Sequence, residues 1–314
     1  MRKTTKALLA IGAILATPSV INYVISKKAK VRIAQKKKEG VFGWEYGDIH
    51  YIKAGSGKPL LLIHGIYPGA ATHEWENTIE HFSKNHTVYA LDLLGFGYSA
   101  KPMLDYSSYL YVRLIKDFAE AVIGKPTYAA ASLHSAAALV TCAALNPDDF
   151  TKILLISPTG LETNTDFAQE DDGVTKKILQ SPIFGTTVYN MLCCKKAIPE
   201  FYAAESLAKQ IDEKTLDEIY LSAHAEGANG KYAIAALLGK FFNVDIKQSL
   251  DELTIPYQII LGKDTNNIET ITTPTGSFKI WSGMDVSYSG TVIENSGVLP
   301  HVDNPQEFLD ACKF

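Results

Sequence analysis

Short apolar runs that alternate with helical segments constrain the fold of this chain more than any other feature. Four such runs are Leu60–His64, Thr87–Leu93, Tyr128–Ala131 and Lys152–Ser157. They are continuous rather than alternating, which is typical of strands buried on both faces of a sheet. The segments between them are helical in length and periodicity. The sequence therefore predicts an α/β fold with a mostly parallel central sheet and helices on both faces.

The alternation stops after the fourth run. Residues from about 160 to 244 are predicted to be largely helical and to form an inserted cap. Strands return at Tyr257–Leu261 and Gly290–Glu294, and a last helix begins at Pro305. We therefore expect one domain over residues 41–314. Within its cap, five large apolar side chains are expected either to line a pocket or to pack the cap on the core: Phe184, Tyr189, Met191, Phe201 and Tyr202.

The first 38 residues differ in charge from the rest of the chain. They contain ten basic residues and no Asp or Glu, and the basic residues flank the apolar run Ala7–Ser26. A helix of this length, at about 1.5 Å per residue, just spans a hydrocarbon core of roughly 30 Å. We interpret residues 1–26 as one retained N-terminal membrane helix and residues 27–40 as a basic juxtamembrane linker. The alternative is a cleaved signal peptide, for which Pro18 makes a poor cleavage site.

The basic residues also bear on orientation and partners. Three precede the apolar run and seven follow it, so the positive-inside rule favours a cytoplasmic body, although a charged leader favours the opposite orientation. Four cysteines without a pattern favour a reducing compartment. The linker would bind anionic lipid as well.

The remainder of the chain has 20 basic and 34 acidic residues. Such an acidic body is unsuited to nucleic acid, whose phosphates need a basic surface. The histidines have no spacing typical of a metal site, and Gly95-Phe96-Gly97 lacks the third glycine of a dinucleotide motif. We therefore expect neither a metal nor a cofactor.

Four local motifs occur in order along the predicted sheet. They are a His-Gly loop at 62–69 (LIHGIYPG), an Asp-x-x-Gly-x-Gly-x-Ser loop at 92–99 (DLLGFGYS), Ile156-Ser157-Pro158, and Asn304–Phe308 (NPQEF). Together they resemble the α/β-hydrolase superfamily. The resemblance implies an α/β-hydrolase fold over residues 41–314, with the helical cap at about 160–244.

The resemblance also implies a nucleophile on a sharp strand-to-helix turn, with small residues two positions to either side. Ser132 is the best candidate, because it ends the predicted strand and has Ala130 two residues before it. His134 then stands where the family has a second glycine. Ser135 and His134 are alternative nucleophiles, and Ser132 could also be only a helix cap.

The remaining positions of the family's catalytic triad are only partly kept. Asp264, in Gly262-Lys263-Asp264, resembles the family's acid, whereas Val298 falls at the position of the catalytic histidine. His301 and His134 are the alternative bases. The oxyanion hole would use the backbone N–H groups of Ile66 and Leu133, which no side-chain substitution removes.

Two functions follow from this pattern. Val298 cannot accept a proton, and a serine without a base is a poor nucleophile, which favours a membrane-anchored, non-hydrolytic binding or accessory protein. Its pocket would hold a small apolar or acyl ligand. The alternative is an active ester or lipid-type hydrolase that uses Ser132, Asp264 and a substitute base.

Overall fold

The fold is built on an eight-stranded sheet. The computed structural model describes residue 27 and residues 39–162, 166–204, 211–263, 268–273, 276–281 and 290–314. The sheet has the order β1-β2-β4-β3-β5-β6-β7-β10. The strands are β1 Glu39–Trp44, β2 Gly47–Ala54, β3 Lys58–Ile63, β4 His86–Leu91, β5 Thr127–Ser132, β6 Phe150–Ile156, β7 Tyr257–Gly262 and β10 Thr291–Ile293; a separate antiparallel pair comprises β8 Ile268–Thr273 and β9 Gly276–Trp281.

Strand direction agrees with the sequence prediction. β4, β3, β5, β6, β7 and β10 run parallel, and β1 and β2 form an antiparallel hairpin that joins the sheet at β4. The mostly parallel α/β sheet is therefore confirmed. In each parallel pair the carboxyl ends meet at one edge, which is where sites form in open α/β sheets.

Helices cover the two faces of the sheet. They are α1 Glu76–Phe82, α2 Ser108–Phe118, α3 Leu133–Leu145, α4 Glu170–Gln180, α5 Phe184–Leu192, α6 Ala197–Ala204, α7 Glu213–Ala223, α8 Lys231–Leu238, α9 Lys247–Asp251, α10 Pro300–Asp303 and α11 Pro305–Ala311, with 3-10 turns at Thr72–Trp75 and Pro147–Asp149 and a π turn at Ala119–Ile123.

Alternate residues of one strand belong to different cores. Leu61 and Ile63 of β3 pack with α2 and α3, whereas Leu60 and Leu62 pack with Trp75, Phe82 and Phe308 on the other face. All four leucine and isoleucine side chains of this strand are fully buried. A strand that is covered on both faces must be apolar at every position, which is why its sequence is a continuous run.

Buried polar groups join the loops at the carboxyl edge. His64, after β3, bonds Gly65 O through Nδ1 at 2.6 Å and accepts from Leu93 N–H, after β4, at 3.0 Å. Asp92 accepts from Thr72 N–H, Tyr98 N–H and His50 Nδ1 at 2.7–2.9 Å. These bonds satisfy buried loop backbone and fix the two motif loops against each other.

The segment between β6 and β7 contains helices α4 to α9, so the helical character predicted for residues 160–244 is observed. Tyr189 and Tyr202 are buried, as expected for residues that pack the cap on the core. Phe184 and Met191 are 55% and 65% exposed, so for them the prediction of a pocket or core role is wrong. Their side chains lie on the outer surface of the cap.

Three details differ from the sequence prediction or lie beyond it. The first hairpin, which the four predicted strands do not include, turns at Glu45-Tyr46 between the paired Trp44 and Gly47. The pair β8–β9 was not predicted, because its sequence lacks an alternating apolar pattern. Among the described residues, no helix combines the length and apolar character needed to cross a bilayer. The predicted anchor at residues 1–26 lies outside the described residues.

Substitution of Gly262 tests the backbone packing at the end of β7. A Cβ atom on Gly262 would lie 1.6 Å from the carbonyl oxygen of Gly297, whereas one on Gly43 in β1 would have nothing within 4 Å. We expect Gly262→Ala to lower the free energy of unfolding by at least about 2 kcal/mol, because the obstructing atom is backbone. Gly43→Ala should change it by at most about 1 kcal/mol. Urea unfolding of both variants measures this; equal effects would contradict the packing.

Candidate active site

The turn from β5 into α3 has its strained residue at Leu133. This residue has φ +54°, whereas Ser132 is extended at φ −117° and ψ 150°. A nucleophile elbow places its reactive residue on the strained position. The structure therefore corrects the predicted apex by one residue, from Ser132 to Leu133. Ala131 and Ser135 are the small residues two positions to either side.

The side chains at the apex and at the predicted position of the base are both aliphatic. Leu133 and Val298 are 9% and 7% exposed and belong to the same buried apolar cluster. A Cβ atom on Gly65 would lie 3.1 Å from Cδ1 of Leu133, so the leucine packs on the His-Gly loop. The sequence predicts the backbone N–H groups of Ile66 and Leu133 as oxyanion donors, the second because it follows an apex at Ser132. With the apex at Leu133, the N–H after the apex belongs to His134.

Ser132 points instead to a buried carboxylate. Its Oγ donates to Glu74 Oε1 at 2.6 Å, and His301 Nε2 lies 2.9 Å from the same oxygen. The other carboxylate oxygen accepts from Gly65 N–H at 2.9 Å and from Tyr67 Oη at 2.6 Å. We call Glu74, Ser132, His301, Gly65 and Tyr67 the Glu74 network.

Every side chain of the Glu74 network is buried, and Ser132 and His301 are fully so. His301 stacks on Trp75 with ring centroids 4.3 Å apart and an interplanar angle of 28°. Since a carboxylate only accepts hydrogen bonds, Nε2 of His301 must carry the donated proton. That nitrogen therefore cannot take a proton from Ser132, although the two side chains share one acceptor.

The electrostatics of Glu74 favour its charged form. Burial raises the pKa of this carboxyl group, but the hydrogen bond and charge of His301, then His64 and Ser132, outweigh burial and bring the pKa to about 2. Glu74 was not predicted from the sequence. A single Glu between His73 and Trp75 has no periodicity or spacing that signals a buried acceptor.

The other predicted site residues lie apart from the Glu74 network or outside the described chain. Burial lowers the pKa of His134 to about 4, and its Nε2 lies 3.2 Å from Asn243 Oδ1 in the cap segment. Ser135 donates to the His64 carbonyl at 2.6 Å. Asp264 lies outside the described residues, two positions beyond the end of β7.

Two cavities lie between the core and cap helix α7. One, of about 300 Å³, is lined by Tyr67, His73, Tyr202, Ile219, Leu299 and neighbours; the other, of about 550 Å³, is lined mainly by β2, α1 and α7. His73, Glu76 and Lys214 line both cavities. Neither lining includes Ser132, Leu133 or Val298. Within the described residues, no group of three His, Cys, Asp or Glu side chains is placed to hold a metal ion.

The sequence as a whole matches a known family. A model of the alpha/beta hydrolase family covers residues 60–311, and the chain therefore belongs to this family. A relative, the 2-hydroxy-6-oxo-6-(2'-aminophenyl)hexa-2,4-dienoic acid hydrolase of Metapseudomonas resinovorans, is 25% identical over 84% of this chain and 86% of its own length.

Solved structures agree on the fold. A serine hydrolase involved in carbazole degradation has a TM-score of 0.66 at 19% identity, over 87% of this chain and 96% of that one. A membrane phospholipase A, described as a bacterial virulence factor, has a TM-score of 0.63 at 20% identity, over 98% of this chain and 94% of that one. At these identities the similarity establishes the shared fold.

The depressed pKa of Glu74 predicts acid sensitivity. An ordinary glutamate has a pKa of 4.5, whereas that of Glu74 in the folded protein is about 2. Ionised Glu74 therefore stabilises the fold above pH 4.5, and this stabilisation is lost as the pH falls towards 2. Between pH 7 and pH 3 the loss is about 2 kcal/mol. Glu74→Gln, which cannot titrate, should show a correspondingly smaller fall in the free energy of unfolding over this range.

Urea unfolding at both pH values measures the effect. The matched control is Glu80→Gln, an exposed residue on α1 outside the Glu74 network, against which the change in Glu74→Gln is compared. An unchanged pH dependence in Glu74→Gln would contradict an ionised, hydrogen-bonded Glu74.

Proposed function

We propose that this chain is a membrane-tethered member of the alpha/beta hydrolase family that binds a small ligand and does not hydrolyse it. The observation that carries the proposal is Leu133 at the apex of the elbow. A leucine offers no lone pair to attack a carbonyl carbon, and Val298 offers none to accept a proton.

Ser132 is a poor substitute nucleophile for two reasons. It is fully buried, and its only acceptor in the Glu74 network is a carboxylate with a pKa of about 2. A general base works best with a pKa near the operating pH, so this carboxylate accepts a hydrogen bond but leaves the proton on oxygen. The alternative of an active ester or lipid hydrolase needs Ser132, Asp264 and a histidine base to come together. The hydrogen bond from His301 Nε2 to Glu74 opposes this alternative, because that nitrogen already carries a proton.

The smaller cavity is the best candidate for the ligand. Its walls combine apolar Ile219 and Leu299 and the rings of Tyr67 and Tyr202 with charged side chains that include Glu76 and Lys214. Both ring nitrogens of His73 are buried without a hydrogen-bond partner, and burial lowers the pKa of this ring to about 4, so it is neutral near pH 7. A neutral imidazole offers one donor and one acceptor. A small molecule with an apolar or acyl body and one polar group would satisfy it.

The membrane tether rests on the amino-acid sequence. Residues 7–26 are apolar and the flanking residues are basic, the pattern of a single-pass anchor with a cytoplasmic body. The tether would concentrate the binding domain at the bilayer, where apolar ligands partition.

Fluorophosphonate labelling tests the absence of hydrolysis. These probes react with activated serines, so the full chain should remain unlabelled and Ser132→Ala should change nothing. The double variant Leu133→Ser/Val298→His, which restores the nucleophile and base positions, should gain label at residue 133. Label mapped to Ser132 in the unsubstituted chain would establish the active hydrolase instead.

Membrane extraction tests the tether. A charge at the centre of a membrane helix costs about 3 kcal/mol, so Ile14→Lys should release the chain from membranes washed at alkaline pH. The unsubstituted chain and the control Lys37→Ala should stay with the membrane. Protease digestion of sealed vesicles then reports the side of the body; release of the unsubstituted chain would contradict an anchor.

A further inference from the structure

The outer surface of the cap carries an unusual set of exposed apolar side chains. Val174 and Ile178 lie one turn apart on α4, and Phe184 and Met191 lie two turns apart on α5, with Ile183 just before it. Each is 50–65% exposed. Helices α4 and α5 pack against each other, so we treat their exposed apolar side chains as one surface. We call these five residues the cap face.

The charge around the cap face is opposite to that of the domain. Between Gly173 and Pro199 the chain has four lysines and no Asp or Glu, although residues 39–314 carry 34 acidic and 20 basic residues. Lys177, Lys195 and Lys196 of this stretch are exposed. Lys176 and Lys195 pair with Asp105 and Asp217, whereas the exposed Lys177 and Lys196 flank the cap face. Large apolar side chains beside lysines are typical of helices that lie in a membrane interface.

The linker would allow this surface to reach a bilayer. The 12 residues between Ser26 and Glu39 span up to about 40 Å when extended. A domain of about 275 residues has a radius of gyration of about 19 Å, so this reach is close to the width of the body. A tethered domain stays at high effective concentration near the lipid, and even a weak surface interaction is then occupied.

We propose that the cap face lies on the surface of the bilayer, with its apolar side chains among the acyl chains and its lysines at anionic headgroups. This inference rests on the proposed tether and adds an orientation to it. It also gives Phe184 and Met191 a role that neither the core nor the cavities provide. The carboxyl edge of the sheet would then face the membrane side of the body.

A tryptophan at position 184 tests this orientation. The full chain with Phe184→Trp is reconstituted in vesicles of phosphatidylcholine and phosphatidylglycerol, with and without brominated acyl chains. The matched control is Leu145→Trp, which is 64% exposed in the unsubstituted chain and lies at the opposite end of α3, away from the cap. Difference spectra against the unsubstituted chain remove the native tryptophan signal.

Emission from Trp at 184 should shift to the blue and fall about twofold with brominated lipid, as expected for a side chain among acyl chains. Emission at 145 should do neither. Lys177→Glu/Lys196→Glu in the Phe184→Trp background should reduce the quenching, because it removes the attraction to phosphatidylglycerol.

Flotation of the same samples separates the two proposals. If the chain does not float with the vesicles, the tether fails. If it floats but Trp at 184 is not quenched, the tether stands and the cap-face inference is overturned. A blue shift without quenching also overturns it, since protein rather than lipid would then cover the surface, and cross-linking would show whether that protein is a second copy.

Discussion

The buried carboxylate of Glu74 is the interaction on which the site depends. An ionised carboxylate cannot be buried without partners, because desolvation costs several kcal/mol. Here four hydrogen bonds satisfy it, and they come from the His-Gly loop, the end of β5 and helix α10. Segments that are far apart in sequence are held together at one point. In these bonds the hydroxyl hydrogen of Ser132 and the Nε2 hydrogen of His301 both point to the carboxylate of Glu74. Catalysis by Ser132 would require its hydroxyl hydrogen to move to a base.

The elbow keeps its backbone conformation around a residue that is not a nucleophile. The elbow retains a positive φ although the residue there is leucine, and such a conformation costs about 1 kcal/mol for a non-glycine residue. The surrounding packing therefore imposes the turn independently of a reactive side chain. What remains accessible is the space between α7 and the core, where His73 lies unpaired.

The fold could be predicted because strands such as β3 are apolar at every position, and tertiary burial on both faces demands that pattern. The observed strand ends differ from the predicted ones by one or two residues, since terminal residues are not buried on both faces. The chemistry of serine favours Ser132 as the apex of the elbow, whereas the small residues Ala131 and Ser135 mark the backbone turn around Leu133. Glu74 could not be predicted, because its partners are distant in sequence and only the fold brings them together.

The separation of Glu74 and His301 along the chain has a consequence for synthesis. Glu74 is made 227 residues before His301, whose ring lies against its carboxylate and stacks on Trp75. Until then the carboxylate would be buried without that partner, which opposes closure of the core around it. The core around Glu74 therefore closes only after helix α10 has been made.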